Sequence, residues 1–308
     1  TNMLPYLLGL IALVAFAANS VLCRIALHTT TIDPASFTTI RILSAAVFLS
    51  LLVLFRAVRA NAKLDSTDDS TIIEVTGLSA VQNPLRYLWQ QGSWPGTLAL
   101  FAYAALFSFA YIELTAATGA LILFGWVQFT MLAVGFYQGA RFTVWQWLGF
   151  IIAVGGVLAL FLPSATQPDV WSAILMAGAG IAWGIYSLLG KGVKQPLLMT
   201  QGNFLKSVPL TVLLSLLLFS SWSIDASGVL LAFVSGILAS GVGYAIWYAV
   251  LPNIQATEAA TMQLSVPVIA TFGGVVFLNE PLTTIFVVAA CAILGGIFLV
   301  LKPSFNKL

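Results

Sequence analysis

Ten stretches of about 20 predominantly apolar residues run through this chain, and about 20 is the length that crosses 30 Å of hydrocarbon as a helix. They fall at 4–26, 36–56, 95–114, 117–138, 143–162, 170–190, 200–220, 228–250, 256–278 and 283–301. The fold class they predict is an all-α integral membrane protein with ten transmembrane helices. Of the 308 residues 60% are hydrophobic and 7% charged, where soluble domains carry about 25% charged residues. So few charges cannot cover the surface of a soluble protein of this size, which excludes a soluble enzyme, a nucleic-acid-binding domain and intrinsic disorder. The net charge of +2 calls for no polyanionic partner. With one histidine, His28, and cysteines Cys23 and Cys291 in apolar runs, neither a histidine-rich metal site nor a disulfide framework is expected. No cofactor is implied.

Most prolines lie between the segments, where helices tolerate them; Pro209 and Pro267 lie inside two of them and predict kinks. Ala15-Phe16-Ala17 has the form of a leader cleavage site, but no positive side chain precedes Leu4 and the apolar run continues to Leu22, so a retained first helix is expected. With a cytoplasmic N-terminus, Arg56, Arg59, Lys63, Arg86, Arg141, Lys191, Lys194, Lys302 and Lys307 all fall on the cytoplasmic side. The outer loops hold Asp33, Glu113, Asp169, Asp225 and Glu280. That bias places both termini in the cytoplasm. Residues 57–94 read as one long cytoplasmic loop, whose Asp65, Asp68, Asp69 and Glu74 are solvated rather than metal-binding.

A shift of 140 residues lays Ala116 on Ala256, Ala120 on Ala260, Thr143 on Thr283, Gly155-Gly156 on Gly295-Gly296 and Pro163-Ser164 on Pro303-Ser304. A shift of 167 lays Phe16-Ala17 on Trp183-Gly184 and Arg24 on Lys191. The chain then divides into five helices in 1–165 and five in 166–308. Five is odd, so the second half enters the membrane from the opposite side. Two inverted repeats with a site where they meet form the architecture of secondary transporters.

The run Ala256 to Pro267 (Ala-Thr-Glu-Ala-Ala-Thr-Met-Gln-Leu-Ser-Val-Pro), then Leu278-Asn279-Glu280-Pro281-Leu282, then Gly295-Gly296, resembles the EamA module of the drug/metabolite transporter superfamily. Trp183-Gly184 followed by Lys191 fits the module's opening. The first half departs from the pattern, with Ala140 where the acid of Glu280 is expected and Val127 where Pro267 is. The resemblance implies export of small metabolites or drugs across a bacterial inner membrane, and is nearest to the aromatic amino-acid exporter branch of YddG type.

Polar groups are costly in hydrocarbon and point inward. On that ground the candidate substrate-binding residues are Asn19, Tyr103, Tyr111, Trp126, Gln128, Trp183, Tyr186, Tyr244, Tyr248 and Gln263: ring faces for an amphipathic guest, amides for its polar end. For the tyrosines near helix ends an interfacial aromatic belt is the competing reading. Lys206 and Glu258 are candidates for a charge or coupling role, although Lys206 could snorkel to the interface and Glu258 could cap a helix. Arg41 carries the same ambiguity as Lys206. Glu280, at an outer helix end, reads as structural. The small-residue faces Gly149/Ala153 and Ala292/Gly296 are expected to scaffold each half or to meet in a dimer.

The function expected is a carrier-type exporter of aromatic and other neutral amino acids by alternating access, with no tight proton coupling. A multidrug carrier for cationic compounds is the alternative; an intramembrane enzyme or a channel fits the residues poorly. The expected partners are a small-molecule substrate and the lipid bilayer, with no nucleic acid, the chain being a monomer or weak homodimer.

Overall fold

A computed structural model describes residues 3–64, 84–139, 143–163, 167–253 and 262–301. The described residues form eleven main helices and contain no strand. They are α1 (Leu4–Thr29), α2 (Pro34–Leu64), α3 (Pro84–Gln90), α4 (Trp94–Ala110), α5 (Ala116–Tyr137), α6 (Val144–Ala159), α7 (Val170–Gly190), α8 (Pro196–Leu217), α9 (Ala226–Asn253), α10 (Ser265–Leu278) and α11 (Thr284–Leu301).

The polarity of the bundle is inside out. On α2, Leu43, Val47, Leu51, Phe55 and Val58 form an exposed apolar stripe at the i, i+4 spacing of one helix face. On α8 the interior face carries Thr200, Gln201, Asn203, Lys206, Ser207, Thr211 and Ser215, while Leu213, Leu216 and Leu217 face outward. Exposed leucines around buried amides and hydroxyls are stable only where the surroundings are hydrocarbon. The protein is therefore embedded in a membrane. Among the described residues six helices (α1, α2, α5, α7, α9 and α11) are long and apolar enough to cross, or seven when α3 and α4, bent by 80° between them, count as one span. Length and composition thus support six or seven crossings where the sequence pattern predicts ten; α6 has only 16 residues and α10 only 14.

Helix ends explain most boundary differences. The loop expected at 57–94 is interrupted by structure at both ends. The second helix continues to Leu64, because Ala57 to Leu64 is rich in helix formers, and the Arg59 guanidinium lies 4.7 Å from the Phe55 ring centroid. Pro84–Gln90 forms α3. Asp65, Asp68, Asp69 and Glu74 lie outside the described residues, as do Glu258, Ala256, Ala260 and the Lys302-Pro303-Ser304 end of the repeat. Pro209 sits inside a continuous α8. Pro267 is the third residue of α10, and a break at Leu264 separates it from helical Met262 and Gln263, the interruption expected where a proline ring meets the carbonyl four residues back. Ser235–Val242 of α9 is wound as a π-helix, a rare form that collects at functional sites. Gly236 there lies on the Arg41 carbonyl and Ser44, and Gly241 on the Phe48 ring, so a Cβ at either position would collide with α2.

The main packed pairs are α6 with α11, α4 with α7, α2 with α8, α5 with α7, α1 with α9, α1 with α10, α5 with α10, α2 with α9 and α4 with α8. The small-residue faces account for the first. A Cβ on Gly149 would meet the Gly296 carbonyl oxygen, and one on Gly156 would meet Ala289 and Ala292. Gln146 adds a bond from Nε2 to the Val300 carbonyl at 3.0 Å. These faces thus join the first half of the chain to the second, not helices within one half. Hydroxyls and amides join other pairs: Thr39 Oγ1 donates to the Thr211 carbonyl at 2.8 Å, Thr38 to Ser108 at 2.8 Å and Gln201 to Ser50 at 3.0 Å.

Candidate functional site

A column of aromatic rings fills the centre of the bundle. Trp183 of α7 stacks on Tyr186, with centroids 5.4 Å apart and planes at 24°. Its other neighbours are Tyr103 of α4 at 4.9 Å, Tyr244 of α9 at 5.3 Å and Phe16 of α1 at 6.5 Å. Tyr244 also meets Phe16 at 5.4 Å and Phe204 at 5.5 Å, mostly edge to face, each such pair contributing about 0.5–1.5 kcal/mol beyond burial. Glycines admit these rings: Gly180 and Gly184 bring α7 onto Val127 and Thr130 of α5.

Within the column lies a chamber walled by Phe16, Asn19, Ser20, Tyr103, Phe107, Leu123, Phe124, Trp183 and Tyr244. Its free volume is about 20 Å³, space for about one water molecule. Asn19 supplies the polar end, its Oδ1 accepting from Ser235 Oγ at 2.7 Å and Ser240 Oγ at 3.4 Å. Both hydroxyls belong to the π-helical turns, so the irregular winding of α9 is what aims them at Asn19.

The two ends of the bundle differ. At one end the turns are tied across the bundle. Asp33 Oδ1 caps α2 through Ser36 N at 2.9 Å, and its Oδ2 accepts from Ser223 N at 3.2 Å, while Asp33 N donates to the Ser223 carbonyl at 2.8 Å. Asp225 returns the favour, capping α9 through Gly228 N and accepting from Thr31 N, both at 3.2 Å. Glu280 caps α5 through Ala116 N at 2.8 Å and Ala117 N at 3.4 Å. Burial pushes the Glu280 carboxyl up from its ordinary value, against the lowering effect of those N–H groups and of Arg24. At the other end a vestibule of about 340 Å³ opens between α2, α3, α8 and α9, lined by Val53, Arg56, Tyr87, Leu197, Ala245 and Tyr248 among others. Tyr244 and Tyr248, with centroids 6.2 Å apart, stand between vestibule and chamber.

The sequence candidates separate accordingly. Asn19, Tyr103, Trp183 and Tyr244 wall the chamber, Tyr186 stacks behind Trp183 with its hydroxyl donating to Thr200 at 3.3 Å, and Tyr248 lines the vestibule. Tyr111 lies buried beside Phe107 toward the tied end, with its hydroxyl 3.4 Å from the Ala116 carbonyl. Trp126 faces an apolar lateral groove of about 840 Å³ between α5, α6 and α7. Gln128 is buried with an unpartnered Nε2, and Gln263 is half-buried just ahead of α10. Lys206 is buried at the α3–α4 bend, donating to the Gly92 carbonyl at 3.4 Å with its ammonium 5.9 Å from the Trp94 ring centroid; neighbouring Asn203 accepts from Ser93 N at 2.8 Å. Sequence reading missed Phe16 and Phe124, which periodicity cannot tell from lipid-facing residues.

Comparison with known proteins places this geometry. The model of the EamA-like transporter family matches residues 170–302, and a relative from Pseudomonas aeruginosa, an uncharacterized protein, is 43% identical over 98% of this chain and 96% of its own length. The chain belongs to the EamA-like transporter family. Other relatives carry names that state a function. The "Probable amino-acid metabolite efflux pump" of Salmonella typhimurium is 27% identical over 66% of this chain and 73% of its own. The "Threonine/homoserine exporter RhtA" of the same species is 28% identical over 54% of this chain and 57% of its own. A solved crystal structure, 19% identical, shares the fold with a TM-score of 0.59 over 94% of this chain and 96% of that one. The EamA match falls on the second half of the chain only.

Proposed function

We propose that this EamA-family protein is a carrier-type exporter of small amphipathic metabolites, aromatic and other neutral amino acids foremost. The carrier works by alternating access between two inverted five-helix halves, 1–165 and 166–308, in a bacterial cytoplasmic membrane with both termini in the cytoplasm. The observation that carries the reading is the ring-walled chamber, with walls from both halves: Phe16, Asn19, Tyr103 and Phe107 from the first, Trp183 and Tyr244 from the second.

Two observations support the inverted halves. Exchange α1 with α7, α2 with α8, α4 with α9, α5 with α10 and α6 with α11. The pairs α4–α7 and α5–α7 become α9–α1 and α10–α1, and α4–α8 becomes α9–α2, while α2–α8, α5–α10 and α6–α11 map onto themselves. The main packing scheme is unchanged by the exchange, as a two-fold axis between halves requires. In addition, the turns after α1, α4, α8 and α10 meet at one end of the bundle through Asp33, Asp225 and Glu280. Arg56 lines the opposite end, so the excess of positive charge makes the vestibule cytoplasmic and the tied end external. The structure then corresponds to the state closed to the outside.

Every described Asp and Glu lies in a turn or at a helix end, which favours transport down the substrate's own gradient. The test is uptake by proteoliposomes of radiolabelled L-phenylalanine and L-threonine, with and without a proton gradient. Uptake without an imposed pH difference is expected. Uptake of a cationic dye with no amino acid moved would overturn the reading.

A further inference from the structure

Arg41 lies seven residues into α2 and is 1% exposed, so its side chain does not snorkel. Its Nε and Nη1 find no hydrogen-bond acceptor. Nor does it have a carboxylate partner among the described residues, where the ion pair is Arg24 with Glu280. The guanidinium carbon stands 5.0 Å from the Phe107 ring centroid and 5.6 Å from that of Tyr103. Ring faces recover part of the hydration that a buried cation loses, and leave Nε and Nη1 unused.

Those two rings are themselves chamber walls. With about 20 Å³ free, the chamber admits a guest only when its walls move. Displacing Tyr103 and Phe107 uncovers the guanidinium. We propose that Arg41 is the anchor for the substrate's carboxylate, its free N–H groups taking both carboxylate oxygens in a fork. The proposal rests on the carrier reading and narrows its substrate class to solutes bearing a carboxylate. A single cation beside neutral Asn19 and Ser20 matches one negative charge; a phosphate dianion would need a second cation, and Lys206 is held at the α3–α4 bend. A cationic guest would meet an unpaired like charge.

The experiment compares wild type, Arg41→Met and Arg41→Lys, each full-length and purified, in two measurements. The first is proteoliposome uptake of L-phenylalanine and L-phenylalaninamide, which lacks the carboxylate. The second is melting temperature in detergent, with and without L-phenylalanine. Wild type should prefer the acid over the amide by about tenfold to a hundredfold, the worth of a charged hydrogen-bonded pair. Arg41→Met should lose that preference while melting at or above the wild-type temperature, because a buried unpaired charge has been removed. Arg41→Lys should keep part of the preference, with weaker apparent affinity. A retained preference in Arg41→Met, or a lower melting temperature for it without ligand, overturns the anchor and makes Arg41 a structural residue. If wild type moves neither compound, the carrier reading fails on its own. Melting then decides Arg41: stabilisation by L-phenylalanine in wild type but not in Arg41→Met upholds the anchor, and equal or absent stabilisation in both refutes it.

Discussion

The Arg24 guanidinium stands 3.8 Å from the Glu280 carboxylate, and its Nη1 also donates to the carbonyls of Tyr111 at 3.1 Å and Ile112 at 2.6 Å. Glu280 in turn caps α5. One acid from the turn between α10 and α11 and one cation from α1 therefore hold the turn between α4 and α5 in place at the tied end of the bundle.

Glu280→Ala should lower stability by about 1–2 kcal/mol, the usual cost of a lost helix cap, seen as a lower melting temperature in detergent. Its pH dependence has a definite sign. The folded-state pKa is raised above the ordinary 4.5, so the folded protein takes up this proton more readily than the unfolded chain. The Glu280 contribution should therefore favour folding as pH falls toward that range and oppose it as pH rises through the raised pKa. Against Glu280→Gln as the reference, the wild-type melting temperature should rise on acidification just above pH 4.5; a fall relative to the Gln variant would contradict the assignment.

Trp183 contacts Phe16, Tyr103, Tyr186 and Tyr244, whereas Trp126 faces the lateral groove. Trp183→Ala should reduce transport at unchanged surface expression by about tenfold or more, and by more than Trp126→Ala does. Uptake assays on both variants, normalised to protein in the vesicles, check the order.

Gly296→Val should destabilise the protein by about 1–3 kcal/mol through overpacking, since its side chain would run into the Gly149 carbonyl and Ala153. Gly295→Val, at a position with open space around it, should be tolerated. Yield of folded monodisperse protein and melting temperature distinguish the two.

The membrane class and most helix positions were legible because apolar length is a local property. The ring column was legible in part: Tyr244 and Trp183 are amphipathic residues near helix centres, and hydrocarbon drives such groups inward. Phe16 and Phe124 were not, because phenylalanine suits lipid and core equally and only packing decides. The winding of α9 was hidden as well: Gly236, Gly241 and Gly243 signal close approach without saying against which helix. Lys206 read as a substrate or interface charge, yet a bend at Gly92, with φ of 74°, created the carbonyl that receives it. Arg41 was visible as a charge in an apolar run, but its lack of a partner is a tertiary fact.

Alternating access requires the tied end, external in the proposed topology, to open during each cycle. Asp33 and Ser223, joined there by two hydrogen bonds, can be replaced by a cysteine pair in a chain whose Cys23 and Cys291 have been changed to alanine. Amino-acid transport by this variant in proteoliposomes should stop when the pair is oxidised and return on reduction. Undiminished transport with the crosslink fully formed would contradict alternating access.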